Sequence, residues 1–341
     1  MSLYGTLIDQ LTKDIIQGVY AGGSPLPTEQ LLCERHGLSR VTVRKALEEL
    51  KKDGLISSVQ GQGTVVADRR GGYAGSLDLI ALVSATHNPF FASFMEHFEK
   101  TAEENGSLVL FKQDFQGDAF QSDQLFFRFV KKHIRNVVLW PQTDRIDFGL
   151  LRRLRTVGMN LVFFDQPFES DVADVVSVDH RDAVLSLVDD LRARTDGKLV
   201  FIGFHGVELP SETARERAFR DGMRPGDEIR TIPWRGPVEQ EIERLFDELT
   251  AEGTLPCGLL CCNGPVGIAA AKSLRARGLE AACPLAAIDL LPDMAGFRMT
   301  AYRQPMKELA EASYRRLAVQ SNQGEHWQAG TYLLRGDVVR L

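Results

Sequence analysis

Apolar residues recur at helical spacing over the first fifty residues and gather into unbroken runs beyond residue 77. Leu3, Leu7, Leu11 and Ile15 stand four apart, with Ile8 widening the stripe, and the pattern stops near "GVYAGGSPLP"; this predicts one amphipathic helix. A second begins at "PTEQLLCERHG", where Thr28 can cap it, Glu29 suits the positive end of the helix dipole and Gly37 can adopt the left-handed turn that ends it. A third follows at once, with Ser39 as N-cap and Val43, Ala46, Leu47 and Leu50 as the buried stripe. Two short helices joined by "HGLS" have the spacing of a helix-turn-helix. The next stretch, "GLISSVQGQGTVVAD", reads as strand, glycine turn, strand, with Gly61 and Gly63 bracketing Gln62 at the tip.

Past the Gly/Arg-rich bridge "DRRGGYAGS" the texture changes. Strands are expected at "LDLIALV", "SLVLFKQ", "NVVLWP", "NLVFFDQ", "KLVFIGF", "EIRTIPW", "CGLLCCN" and "CPLAAI". Apolar strands without alternation, separated by segments of helix length, imply parallel sheets covered on both faces. About 265 residues exceed one comfortable core, so two such sheets with a cleft between their carboxyl ends are expected. The predicted fold is α/β: a winged helix-turn-helix followed by a two-lobed core of parallel sheets flanked by helices. The expected domains are a head at 1–67, a linker at 68–76 and a core at 77–341.

Composition narrows the function. The chain has 341 residues, a hydrophobic fraction of 44% and a net formal charge of −6, so any nucleic-acid surface must be local. The N-terminus has no charged start, apolar centre and cleavage site, and no run of about 18 apolar residues exists, which points to a cytoplasmic protein with no membrane segment. The five cysteines lack paired metal-site spacing and are expected to be buried, reduced thiols; no metal or cofactor is implied.

On the third helix, Arg40 and Arg44 lie four apart on one exposed face, with Thr42 and Lys45 near it. Glu48 and Glu49 could pair with Arg44 and Lys45 as an ordinary solvated face, but the hairpin that follows has the form of a wing. The stretch "LPTEQLLCERHGLSRVTVRKALEELKKDGLISSVQGQGTVV" resembles the GntR family of bacterial winged-helix repressors. That resemblance implies that Ser39, Arg40, Thr42 and Arg44 meet the DNA major groove with Lys45 nearby, and that the tip Gly61, Gln62 and Gly63 approaches the minor groove. Arginine at the start of such a helix can grip a guanine edge in two places, while hydroxyls hold phosphates.

In the core, Asn88, Trp140, Asp165, Asn263 and Asp289 stand at strand ends that face the expected cleft, and Arg215 lies on a helix starting near Ser211. Carboxylates, an amide, a guanidinium and an aromatic plate suit a polyhydroxylated ligand. Each also has a plain structural use: the aspartates as helix caps, Arg215 as a partner of Glu212 or Glu216, Trp140 as core. Segments from "SATHNPFFASFMEHFEKTAEENGSLVLF" through "CCNGPVGIAAAKSLRARGL" to "MTAYRQPMKELAEASYRRLAV" are similar to the regulatory core of LacI/GalR repressors, which share the fold of periplasmic sugar-binding proteins. The resemblance implies ligand contacts from Asp165, Arg215, Asn263 and Asp289, with Phe90 and Phe91 at the cleft mouth. The chain departs from that pattern at Gly264 and Leu290, where the family usually carries aspartates.

Together the two resemblances imply a GntR/LacI hybrid similar to arabinose-type repressors: a DNA-binding regulator whose operator affinity a small ligand, most simply a sugar, controls. Two heads on a homodimer would read a pseudo-palindromic double-stranded operator. An orphan core that only dimerises the heads, or an α/β enzyme, are the competing readings; the enzyme lacks a Gly-x-x-x-x-Gly-Lys-Ser/Thr loop, a His-Glu-x-x-His and a Gly-x-Ser-x-Gly elbow. A flexible linker of this length spans about 15 to 18 Å and transmits no force. Coupling is therefore expected from ordered contacts between head and core or from altered head spacing.

Overall fold

The computed structural model describes residues 3–68, 77–84, 89–113, 123–141 and 146–341. The head comprises α1 (Leu3–Gln17), α2 (Glu29–His36), α3 (Arg40–Lys52) and an antiparallel hairpin of β1 (Ile56–Val59) and β2 (Gly63–Val66). Local chemistry sets each boundary. The Thr28 hydroxyl accepts from the Leu31 N–H at 3.3 Å, and Gly37 ends α2 at φ 63°. Ser39 caps α3 by accepting from the Thr42 N–H at 3.2 Å, and Val43, Ala46, Leu47 and Leu50 are buried beneath it. Gly61 and Gly63 take φ of 82° and 83°, which the tight hairpin tip requires.

The core has two lobes. The amino-terminal lobe holds β3 (Leu79–Ser84), α4 (Pro89–Glu104), β4 (Leu108–Gln113), α5 (Asp123–Lys131), β5 (Asn136–Trp140), α6 (Phe148–Thr156), β6 (Asn160–Phe164) and β7 (Asp174–Val178). The other lobe holds α7 (His180–Arg192), β8 (Leu199–His205), α8 (Pro210–Asp221), β9 (Glu228–Pro233), α9 (Val238–Ala251), β10 (Gly258–Cys261), α10 (Gly264–Ala276), β11 (Leu285–Ile288) and β12 (Thr300–Arg303). The chain then returns through α11 (Met306–Gln323) and β13 (Thr331–Leu334) to the first lobe and ends in β14 (Asp337–Arg340) of the second.

The sheet orders are β13-β7-β6-β5-β3-β4, all parallel, and β14-β12-β11-β10-β8-β9, parallel except for β14. All eight strands expected from the apolar runs are present. The structure adds β7, β12, β13 and β14, whose sequences carry Asp, Ser, Thr or Arg among apolar residues. Three crossings join the lobes: β7 to α7, β12 to α11, and β13 to β14.

Buried side chains form one cluster in the second lobe, one on the α4/α11 face of the first lobe, and a third on its other face. This third cluster continues into the head without a break: Leu7, Leu11 and Ile15 share it with Phe126, Phe129 and Leu151. The linker expected at 68–76 lies outside the described residues apart from Asp68, yet the head does not depend on it for its position. All five cysteines are free thiols; four are buried as expected, whereas Cys33 is half-buried.

Candidate functional site

Two surfaces gather the expected residues. On the head, Ser39, Arg40, Arg44 and Lys45 are exposed along one side of α3, with Thr42 half-buried, and Gly61, Gln62 and Gly63 are exposed at the hairpin tip. Four of these side chains already have partners. The Ser39 and Thr42 hydroxyls lie 2.9 Å apart, Arg44 pairs with Glu29 at 3.2 Å, and the Lys45 ammonium sits 4.4 Å from the centre of the Tyr4 ring. Val41, not singled out from the sequence, is 80% exposed in the first turn of α3. An apolar side chain left in water between arginines is the structural signal that would have found it.

In the core, an opening with an empty volume of about 570 Å³ lies between the lobes, lined from the first by Phe90, Trp140, Asp165 and Gln166 and from the second by Arg215, Asn263 and Asp289 among others. Asn88 lies outside the described residues. Phe91 does not reach the opening: it is fully buried and stacks behind Trp140, with ring centres 4.7 Å apart. The cleft-mouth role expected of it falls to Phe90 alone, because consecutive residues of α4 point in different directions.

Asp165 and Asp289 follow β6 and β11 with φ of 61° and 80°. Neither is an N-cap residue, although Asp289 accepts from the first N–H of α10; a left-handed backbone turn at a strand end projects each carboxylate into the opening. The Trp140 indole donates to Asp165 Oδ2 at 3.3 Å, while Oδ1, also buried, has no hydrogen-bond partner among the described residues. Burial pushes the Asp165 carboxyl up to about 7; Arg215 and the Trp140 bond oppose the rise, and Asp289 and Glu212 add to it.

Arg215 is 4% exposed. Its NH1 donates to Glu212 Oε1 and to the Cys262 carbonyl, both at 3.1 Å, and its Nε donates to His180 Nδ1 at 3.3 Å. With Nδ1 accepting, the imidazole proton sits on Nε2 and faces Ser177 Oγ at 3.3 Å. Burial and the neighbouring guanidinium hold the His180 pKa well below its ordinary value, so the ring is neutral. Burial raises the pKa of Glu212 despite Arg215.

The Asn263 side-chain oxygen caps α10 by accepting from the Val266 N–H at 3.1 Å, which leaves its NH₂ as the group for a ligand. Asp289 accepts from the Gly264 N–H at 3.2 Å and from the Gln304 amide. Across the opening, the Ser211 N–H donates to Gln166 Oε1 at 3.2 Å. The site thus spans both lobes and touches two of the three crossings, through His180 and Gln304.

Glu212, Trp234, Gln166 and Leu291 also line the opening and were not chosen from the sequence. Trp234 and Gln166 follow β9 and β6, so the strand-end rule that selected Asp165 also covers them. Glu212 was legible only as a helix partner of Arg215. Leu291 was not legible, being three residues beyond the end of β11.

A winged head on a two-lobed core of parallel sheets is the class these features define. Residues 3–66 match the model of the family described as bacterial regulatory proteins, gntR family. The probable fructoselysine utilization operon transcriptional repressor of Escherichia coli (strain K12) is 44% identical over 68 residues, 20% of this chain and 28% of its own length. The chain therefore spans little more than a quarter of that relative. A transcriptional regulator CelR–cellobiose complex superposes with a TM-score of 0.65 at 16% identity, covering 92% of this chain and 99% of that one. The Cra transcriptional dual regulator from Pseudomonas putida, in complex with fructose 1-phosphate, does so at 0.65 and 18%, covering 78% and 99%. The core has the fold of LacI-type regulators and periplasmic binding proteins.

Among the described residues, no helix is long and apolar enough to cross a membrane, and no group of His, Cys, Asp and Glu side chains could hold a metal ion.

Proposed function

We propose that this protein is a transcriptional regulator, a repressor, whose head binds a DNA operator and whose cleft binds a sugar that changes operator affinity. Residues 1–67 form the head, 68–76 the linker and 77–341 the effector and dimerisation core. The single observation that carries the reading is the convergence of Asp165, Arg215 and Asp289 from both lobes on one opening, in a chain whose head matches a DNA-binding family. A ligand bridging those groups favours one lobe arrangement over the other, and only that difference in affinity can shift the DNA equilibrium.

Chemistry suits each role. Asp165 Oδ1 accepts a ligand hydroxyl, Asn263 offers its NH₂, and the rings of Phe90, Trp140 and Trp234 cover an apolar sugar face. On the head, Arg40 and Arg44 meet base edges or phosphates, Ser39 and Thr42 hold the backbone, and Val41 packs on a thymine methyl. Two heads in a homodimer read the two halves of the operator. No reaction is assigned: His180 and Ser177, the nearest thing to a catalytic pair, are buried behind Arg215.

A thermal-shift screen with pentoses, hexoses, uronic acids and sugar phosphates tests the reading, with Asp289→Ala as control. A ligand at about a hundred times its Kd adds roughly 2.7 kcal/mol; the same ligand must then change binding to a duplex selected from a random pool. Stabilisation without any effect on DNA affinity would leave a sugar-binding core and remove the switch. The absence of stabilisation by every compound would favour a core that only pairs the heads.

A further inference from the structure

The amino-terminal helix serves two bodies at once. On one side α1 packs against α3 of the head, and on another it packs against α5 and α6 of the first lobe. Leu7, Leu11, Ile15 and Ile16 are buried in one continuous cluster with Phe126, Phe129, Leu150 and Leu151 of those two helices. Polar contacts fix the register. Asp9 pairs with Lys131 at 2.7 Å, and the Gln17 amide donates to Asp123 at 2.7 Å. The later residue of α1 meets the first residue of α5 and the earlier one its last, which sets the helices antiparallel.

Arg153 of α6 closes the joint by donating through Nε to the Ile16 carbonyl at 2.7 Å, one of the acceptors that a helix end leaves without an internal partner. Gly18 follows at φ 82°, and a Cβ there would lie 2.9 Å from Arg153 Cδ. A glycine is needed at this position both for the backbone and for the approach of the arginine. Burial of apolar residues supplies the attraction in the joint and the polar pairs set its geometry, whereas a carboxylate placed at 131 against Asp9 or at 153 against the Ile16 carbonyl would repel and oppose docking.

What the seat leads to gives the joint a consequence. α5 runs directly into β5, which ends at Trp140, and α6 runs directly into β6, which is followed by Asp165. The head therefore rests on two of the units that present the first lobe's share of the cleft, α4 with Phe90 being the other.

We propose that α1 welds the DNA-reading head to the amino-terminal lobe, so that the head travels with that lobe when the cleft changes, and half-site spacing is set by the lobes instead of the linker. Arg153 and Lys131 are positioning residues of this joint. The joint does not depend on the function proposed above; its consequence for DNA does.

Two measurements test it. In the full chain, a site-specific protease sequence is inserted between Gly71 and Gly72, and the cleaved protein is run on gel filtration. The head fragment is expected to elute with the core. Lys131→Glu together with Arg153→Glu should release it, and adding Asp9→Lys should restore co-elution, an outcome that simple misfolding would not give. Release from the otherwise unmodified chain overturns the joint, and retention in the double variant overturns the roles given to Lys131 and Arg153.

The second measurement selects DNA from a randomised duplex pool. The uncut protein should recover half-sites at one narrow spacing, and Lys131→Glu/Arg153→Glu should accept several. Broad spacing from the unmodified chain overturns the claim that the lobes set it. Recovery of no common sequence would count against the DNA-reading role instead, and the gel-filtration result would still decide the joint.

Discussion

Asp165 and Asp289 occupy the same place in the two lobes. Each follows the third strand of its sheet, counted from the edge formed by β13 or β14, and each has a left-handed backbone. Each donates its N–H to the neighbouring strand, to Val176 at 2.9 Å and to Tyr302 at 3.1 Å. Two equivalent strands therefore aim two carboxylates at one opening from opposite sides. The pair differs in its surroundings: Asp289 accepts from Gly264 and Gln304, whereas Asp165 keeps a buried oxygen without a hydrogen-bond partner among the described residues.

Burial makes Asp165 a source of pH-dependent stability. Its carboxyl is raised to about 7 in the folded protein from the 3.8 of an unperturbed aspartate. Between those values the native state holds a proton that the unfolded chain releases. The contribution is fully present below the unfolded pKa and is lost as pH rises through about 7, a loss on the order of a few kcal/mol. His180, kept neutral, acts in the opposite direction below its unfolded pKa, but it is common to wild type and variant. Asp165→Asn cannot ionise, so its melting temperature should gain several degrees on wild type between about pH 5 and about pH 8. A difference that stays flat with pH would place the carboxyl in the ordinary range.

Gly264 and Leu291 explain one departure from the LacI-type pattern. A Cβ on Gly264 would stand 2.5 Å from Leu291 Cδ1 and 2.9 Å from its Cγ, so the leucine occupies the room an aspartate would need. Gly264→Ala should cost about 1–3 kcal/mol by overpacking. Leu291→Ala should absorb most of that cost when the two are combined. Thermal unfolding of both single variants and the double gives the coupling; additive effects would show that Leu291 is not what excludes a side chain.

The head was legible because its signals are local. Thr28, Gly37, Ser39 and the wing glycines each act within four residues, where spacing alone carries the geometry. The strands buried on both faces were legible as apolar runs. What escaped depends on partners far along the chain. β7 is fully buried, yet it contains Asp174, whose carboxylate accepts from Gln320, Trp327, Arg316 and the Gly330 N–H. β12 contains Thr300, bonded to Asp190. A buried polar residue reads as a loop residue until its partner is known. The cleft follows the same rule: strand ends found Asp165, Asn263 and Asp289, whereas Phe91 was misplaced because its helical phase was not resolved. The seat of the head on α5 and α6 was not legible, since α1 shows a single apolar stripe and nothing in it marks two partners.

On the face proposed to meet DNA, Glu29 holds Arg44. The pair lies at 3.2 Å with the arginine side chain 64% exposed, so a phosphate or base edge must displace the carboxylate. Glu29→Gln should tighten binding to a selected duplex by about two- to fivefold. Arg40→Ala should weaken it and lower the slope of log affinity against log salt by about 1 if Arg40 meets a phosphate. Fluorescence anisotropy over a salt series reads both. An unchanged affinity for Glu29→Gln would mean that Arg44 stays paired with Glu29 in the complex.

Gln320 offers the sharpest test of how α11 packs on the first lobe. β6 and β7 pair only from Val162 and Asp174 onward, which leaves Leu161 outside that ladder on one side. The Gln320 amide takes the place of a strand there: its oxygen accepts from the Leu161 N–H at 2.9 Å, and its nitrogen donates to the Leu161 carbonyl at 2.8 Å. The same oxygen accepts from Arg155 at 2.7 Å, and the nitrogen also donates to Asp174 at 2.8 Å. Gln320→Leu would fill the space and strand the Leu161 N–H and carbonyl without water, each costing about 1–3 kcal/mol before relaxation, while Arg155 and Asp174 would each lose one of several partners. The expected loss is several kcal/mol, read by denaturant unfolding. Gln320→Glu retains the acceptor for Arg155 and the Leu161 N–H but loses both donors and sets a carboxylate beside Asp174, so it should also destabilise. A leucine variant of near wild-type stability would mean that α11 is held to β6 by apolar contact alone.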